Sequence, residues 1–105
     1  MGRTVIAVYK PKPGKEEMLD TLVEGHVDIL RKEGLATDHP VTVMRSEDGT
    51  ILEVFEWCSA KSVEEAHVNP VVQALWGEFG EACDFMPLAS VPECAGLFPD
   101  FETLR

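Results

Sequence analysis

Two stretches of this chain carry apolar residues at both odd and even positions, and that double patterning narrows the possible folds sharply. Thr4 to Lys10 reads TVIAVYK, with Val5, Ala7 and Tyr9 on one parity and Ile6 and Val8 on the other. Thr50 to Trp57 reads TILEVFEW, with Ile51, Phe55 and Trp57 set against Leu52 and Val54. Successive side chains of a strand point to opposite faces, so a strand apolar at both parities must be covered on both sides. Helices can supply one cover. The other has to come from elsewhere.

The helices are legible. Lys15 to Glu33 places Leu19, Leu22, Val23, Val27 and Leu30 at three-and-four spacing, one buried stripe of a helix. Glu16, Glu17 and Asp20 near its start and Arg31 and Lys32 near its end suit the helix dipole, and Gly34 stands where a left-handed cap is expected. Before it, Pro11-Lys12-Pro13-Gly14 forces a turn. Val41 to Arg45 is a second strand, joined to Thr50–Trp57 by Ser46-Glu47-Asp48-Gly49, an Asp-Gly hairpin signal. Ser59 or Ser62 caps a second helical region. Asn69-Pro70 breaks that region and restarts it, with Val72, Leu75, Phe79 and Ala82 as the apolar stripe. Asp84 to Val91 is predicted as the fourth strand.

The order β-α-β-β-α-β is the split βαβ of a ferredoxin-like α+β domain: two helices over one face of a four-stranded antiparallel sheet. The predicted domain spans residues 1–92. Residues 93–105 form a tail whose Leu97, Phe98, Phe101 and Leu104 dock on their own or a partner subunit. A bare apolar sheet face exceeds what a monomer usually exposes, and a two-fold homodimer is the simplest cover. The expected assembly is a dimeric α+β barrel.

Composition excludes other roles. With 9 basic against 19 acidic residues the net charge is −10, which repels nucleic-acid backbones and anionic membranes alike. No stretch approaches the ~18 apolar residues of a transmembrane helix, and no apolar signal core follows Met1. Cys58, Cys83 and Cys94 are odd in number and lack C-x-x-C spacing, so neither a disulfide framework nor a zinc site is expected, and the predicted compartment is the cytoplasm. His26, His39 and His67 lie far apart in sequence and form no metal motif.

Taken together, Pro13-Gly14-Lys15-Glu16-Glu17 at the first helix, Glu56-Trp57-Cys58-Ser59-Ala60-Lys61-Ser62 after the third strand, and Glu65-Ala66-His67 leading to Asn69-Pro70-Val71-Val72 resemble the antibiotic biosynthesis monooxygenase family. The resemblance runs from about Val5 to Val91 and implies the dimeric α+β barrel. It also implies a cofactor-independent monooxygenase or an isomerase acting on a small, mostly apolar carbonyl or phenolic compound. The family includes proteins without assigned activity, so a non-catalytic ligand-binding or structural dimer is the other reading. Haem-degrading members need an Asn on the first strand and a His well along the second helical region. This first strand has no Asn, and His67 sits too early. No cofactor is expected.

Candidate bases are His26, His67 and Glu53; candidate substrate-binding groups are Trp57, Tyr9 and Trp76. His26 lies on the apolar stripe of the first helix, where a buried neutral imidazole suits base work, although a satisfied core histidine fits as well. His67 occupies the family's Ala-His position, where it serves as a proton shuttle or bonds a nearby carbonyl. Glu53 shares a strand face with Trp57 and stands where the family's oxygenases carry Asn. It is either a general base or the ion-pair partner of Arg45 across the hairpin. Trp57 forms a pocket wall or anchors the core, Tyr9 holds a substrate oxygen or sits at the rim, and Trp76 lines a pocket mouth or the dimer seam.

Overall fold

Breakers and caps set the elements. The computed structural model describes residues 1–105. Strand β1 (Arg3–Pro11) ends in the Pro-Gly turn, where Gly14 takes φ +80°. Helix α1 (Glu16–Lys32) buries Leu19, Val23, His26, Val27 and Leu30. It closes in a Schellman motif: Gly34 sits at φ +73°, its N–H bonds the Arg31 carbonyl at 3.0 Å, and the Leu35 N–H bonds the Leu30 carbonyl at 2.9 Å. Strands β2 (Thr42–Arg45) and β3 (Ile51–Trp57) form the predicted hairpin, with Gly49 at φ +91°. Of the two candidate caps, Ser59 starts helix α2 (Ala60–Ala66) by accepting from the Ser62 N–H. Asn69 accepts from the N–H groups of Val71 and Val72 and so launches α3 (Pro70–Ala82), with Pro70 in its first turn.

Strand β4 (Cys83–Phe85) is much shorter than the predicted Asp84–Val91. The Met86 N–H still reaches the Val8 carbonyl at 3.0 Å, but Leu88, whose N–H would make the next bond to β1, has already entered a 3-10 turn. The chain then winds through two 3-10 turns, Leu88–Ser90 and Pro92–Ala95. A fifth strand, β5 (Glu102–Thr103), comes from the tail and adds to the outer edge of β2, Met44 facing Thr103 and Arg45 facing Glu102. The sheet therefore has five antiparallel strands rather than four, in the order β4-β1-β3-β2-β5.

In the β1–β3 register Ala7 faces Glu53, Val5 faces Phe55 and Tyr9 faces Ile51. The odd residues of both strands thus share the face that α1 and α3 cover. Two core clusters lie there, one around Tyr9, Leu19 and Phe79, the other around Leu30, Phe55, Trp57 and Val72. The far face was expected to be bare. Half of it is covered by the chain itself, because Val91, Met86, Cys94 and Phe101 fold back over Val8, Leu52 and Met44. The other half is open: Ile6 is 45% exposed. No helix is long and apolar enough to cross a membrane.

Candidate functional site

Glu53 stands in the middle of β3 on the helix-covered face and is fully buried. Two donors converge on its Oε1: the Tyr9 hydroxyl from β1 at 2.7 Å and the His26 Nδ1–H from α1 at 2.8 Å. On the other side of the imidazole, the indole N–H of Trp76 from α3 donates to His26 Nε2 at 3.2 Å. An indole nitrogen only donates, so Nε2 must carry a lone pair. That fixes the tautomer: His26 is neutral, with its proton on Nδ1 aimed at the carboxylate. Four elements of the fold, β1, β3, α1 and α3, are needed to close this chain from Tyr9 through Glu53 and His26 to Trp76.

The other carboxylate oxygen, Glu53 Oε2, is buried and has no partner. Half of a buried charge is thus left uncompensated, which makes the site receptive to a positive charge nearby. Burial, followed by the charge of Glu53 and its hydrogen bond, raises the Tyr9 phenol far above its ordinary ionisation range. Tyr9 is therefore a permanent donor to Glu53. The imidazole is clamped edge-on by Phe79, with centroids 4.9 Å apart, and by Phe55 at 5.5 Å.

Beside this chain lies a cavity of about 300 Å³, lined by Val5, Ala7, Tyr9, His26, Phe55, Trp57, Trp76 and Phe85. Its volume is at the lower end of ligand cavities, which run from roughly 300 to 1,000 Å³. The walls are apolar and aromatic except for the imidazole. Small side chains at Val5 and Ala7 leave the floor open. A larger groove of about 810 Å³ runs between the start of α1 and the β2–β3 turn. Its walls carry Lys10, Glu16, Asp20, Arg45 and Asp48, all surface charges, and His26 and Glu53 are not among its lining.

The structure gathers Tyr9, His26, Glu53, Trp57 and Trp76 around one place. Trp57 both anchors the core beside Phe55, at 5.1 Å between centroids, and forms a wall of the cavity. His67 stands apart. It is exposed, its Nδ1 bonds the Val63 carbonyl at 2.7 Å, and its ring meets Trp76 edge-on at 5.4 Å without lining the cavity. Glu53 does not pair with Arg45 as expected: the register puts Val43 opposite Glu53, and Arg45 pairs instead with Glu102 of β5. Sequence reasoning missed Val5, Ala7 and Phe85 as lining residues. The shared parity of Val5, Ala7 and Tyr9 was the available signal for the first two. Cys83 is a structural thiol. Burial and then Asp84 push it up to about 11, against a smaller opposing effect of Lys12, and it donates to the Phe79 carbonyl. No three His, Cys, Asp or Glu side chains cluster closely enough to hold a metal ion.

Fold and site together define a small α+β protein with three helices over a five-stranded antiparallel sheet and an apolar cavity beside a buried His–Glu pair. The chain is similar in structure to Rv0793 from Mycobacterium tuberculosis, with a TM-score of 0.63, 20% sequence identity, and coverage of 83% of this chain and 87% of that one. That likeness shows the fold alone. No protein family and no curated protein matches the sequence.

Proposed function

We propose that this chain is an antibiotic biosynthesis monooxygenase-like enzyme that removes a proton from a small, mostly apolar phenol or enolisable carbonyl compound. The observation that carries the reading is the buried His26–Glu53 pair at the wall of an apolar cavity. His26 Nε2 is the base. Glu53 orients the ring through Nδ1 and stabilises the imidazolium that forms, a division of labour common to His–carboxylate pairs. Glu53 is fully buried behind the aromatic wall, so its charge acts on the imidazolium more strongly than it would in water.

Deprotonation makes the substrate electron-rich. An activated ring methylene can then reduce dioxygen without a cofactor: the methylene becomes a carbonyl, one oxygen atom enters the product and the other leaves as water. Reprotonation at a different carbon would give an isomerase from the same site. The test is a panel of quinol-type compounds, read by oxygen uptake and by exchange of substrate hydrogen with heavy water. Turnover that collapses in His26→Ala supports the proposal. Equal rates in parent and variant overturn it, and binding without uptake or exchange makes the protein a ligand-binding domain instead.

The working unit in this proposal is a homodimer, a second copy covering the open half of the far sheet face to complete an α+β barrel. Ile6 at 45% exposure, with Leu97 and Phe98 at 90% and 91%, supports it. Sedimentation should give twice the chain mass, and Ile6→Glu should give a monomer; a monomeric parent overturns the dimer. Three unpaired cysteines, one of them exposed, support a reducing compartment, the cytoplasm.

A further inference from the structure

Resting on the proton-abstraction reading above, we propose that Trp76 is a positioning residue that exchanges partners during binding: its indole N–H leaves His26 for the oxygen of an incoming hydroxyl group. In the free protein the lone pair of His26 Nε2 is occupied by Trp76 at 3.2 Å. Tyr9 is committed to Glu53 at 2.7 Å, so its hydroxyl proton has no freedom to meet a ligand. That leaves His26 Nε2 as the basic side-chain acceptor in the cavity wall, and a ligand reaches it only by displacing the indole N–H.

Only a ligand that itself donates a hydrogen can make that displacement without loss. A hydroxyl replaces the N–H on Nε2, whereas a ketone or an ether offers two acceptors to each other and leaves the imidazole unpaired. The displaced indole N–H is then a free donor beside the same oxygen. When the O–H proton passes to Nε2, the electron pair stays on oxygen, His26 becomes an imidazolium against Glu53, and the Trp76 N–H donates to the new oxyanion. Trp76 is half-buried: it packs against both core clusters and meets the exposed ring of His67 edge-on at 5.4 Å, so part of the indole lies at the surface. The titratable groups that face His26 are Glu53 from β3, with Tyr9 from β1 behind it. The specificity that follows is for ring compounds bearing a free hydroxyl, over the same rings methylated at that oxygen.

The experiment uses 4-nitrophenol and its methyl ether, 4-nitroanisole, with the full chain. The visible band of nitrophenol separates phenol from phenolate, so the ionisation midpoint of the bound ligand can be read directly. The wild-type protein should bind the phenol at least about tenfold more tightly than the ether, the worth of one displaced hydrogen bond. It should also lower the midpoint of the bound phenol. Trp76→Phe keeps the ring and removes the N–H, and should raise that midpoint by about one unit, a tenfold change in ionisation. A core defect alone would weaken binding without moving the midpoint. The cavity's second indole is the control: if Trp57→Phe moves the midpoint and Trp76→Phe does not, the assignment is wrong. Equal midpoints in Trp76→Phe and wild type, or equal affinity of wild type for phenol and ether, also overturn it. The phenol–ether comparison needs no variant and so stands even where Trp76→Phe fails to fold. If wild type binds neither compound, it is the ligand-cavity reading that falls.

Discussion

Tyr9 is the chain's single tyrosine, so its ionisation can be followed by tyrosinate absorbance with no other residue contributing. In the fold its hydroxyl is buried and donates to a buried carboxylate, which raises its pKa far above the ordinary value of 10.0. The unfolded chain loses that proton near pH 10, and the folded chain keeps it. Above pH 10 the unfolded state therefore binds fewer protons, and stability falls as pH rises, by about 1.4 kcal/mol per unit. Below pH 10 both states hold the proton and this contribution to stability is fully present. Cys83 adds a second such proton between its ordinary 9.0 and about 11, so between pH 10 and 11 the slope is about twice as steep. By pH 12 the two groups together remove about 5 kcal/mol, the low end of typical domain stability, so a protein of that stability should unfold near that pH. Tyrosinate should appear only together with loss of far-ultraviolet circular dichroism, and Tyr9→Phe should remove the part of the slope that Cys83→Ala leaves. At neutral pH, Tyr9→Phe should cost about 1.5–3 kcal/mol, because Glu53 loses one of its two donors. Reversible tyrosinate formation near pH 10 in the still-folded protein would refute the buried Tyr9–Glu53 bond and the geometry built on it.

Other substitutions separate the base chemistry from the fold. Glu53→Gln keeps an oxygen for Tyr9 and His26 but removes the countercharge to the imidazolium; turnover should fall at least about 100-fold while the melting temperature moves little, since losing a buried charge offsets part of the lost bonding. Ala7→Leu should fill the cavity floor and weaken nitrophenol binding at least about tenfold in a titration, with the fold retained, because the new atoms enter empty space. Asn69→Ala removes the acceptor for the Val71 and Val72 N–H groups and should cost about 1 kcal/mol, a drop of a few degrees in thermal melting.

Much of the fold was written locally. Gly34, Asn69-Pro70 and Asp48-Gly49 each act through a backbone preference that needs no tertiary context, and each ended or started an element where expected. His26 was readable as buried because helix periodicity alone puts it on the stripe with Leu19, Val23 and Leu30. What failed was contact across the sheet. The partner of Arg45 depends on a fifth strand that two residues form only because β2 offers a free edge; nothing in Glu102-Thr103 announces a strand. The fourth strand was overextended because Leu88, Ala89 and Val91 read as apolar strand residues, whereas the chain leaves β1 after Met86 for two 3-10 turns that carry Val91 onto the far face. Docking of Phe101 was expected of the tail, but covering of the far face by Val91, Met86 and Cys94 was equally hidden, since these residues share no periodicity. The site was half legible: residue types and faces were, but the convergence of Tyr9 and His26 on one oxygen of Glu53 is a property of register and helix placement.

Glu53 raises a question that stability does not answer. It is the one buried acid among the 19 in the chain, and it leaves Oε2 without a partner. Replacing a buried ion pair by well-packed apolar residues is often neutral or stabilising. Around Glu53 the wall is already Phe55, Phe79 and Val43, so a leucine there would continue the core. A glutamate is justified by what it does to its neighbour. It holds the proton of His26 on Nδ1 and keeps Nε2 as the lone-pair nitrogen beside the cavity, and in the proposed reaction its uncompensated charge would stabilise the imidazolium. A purely structural histidine would need a carbonyl partner and no more. The one buried acid of the chain thus stands against the imidazole that lines the apolar cavity.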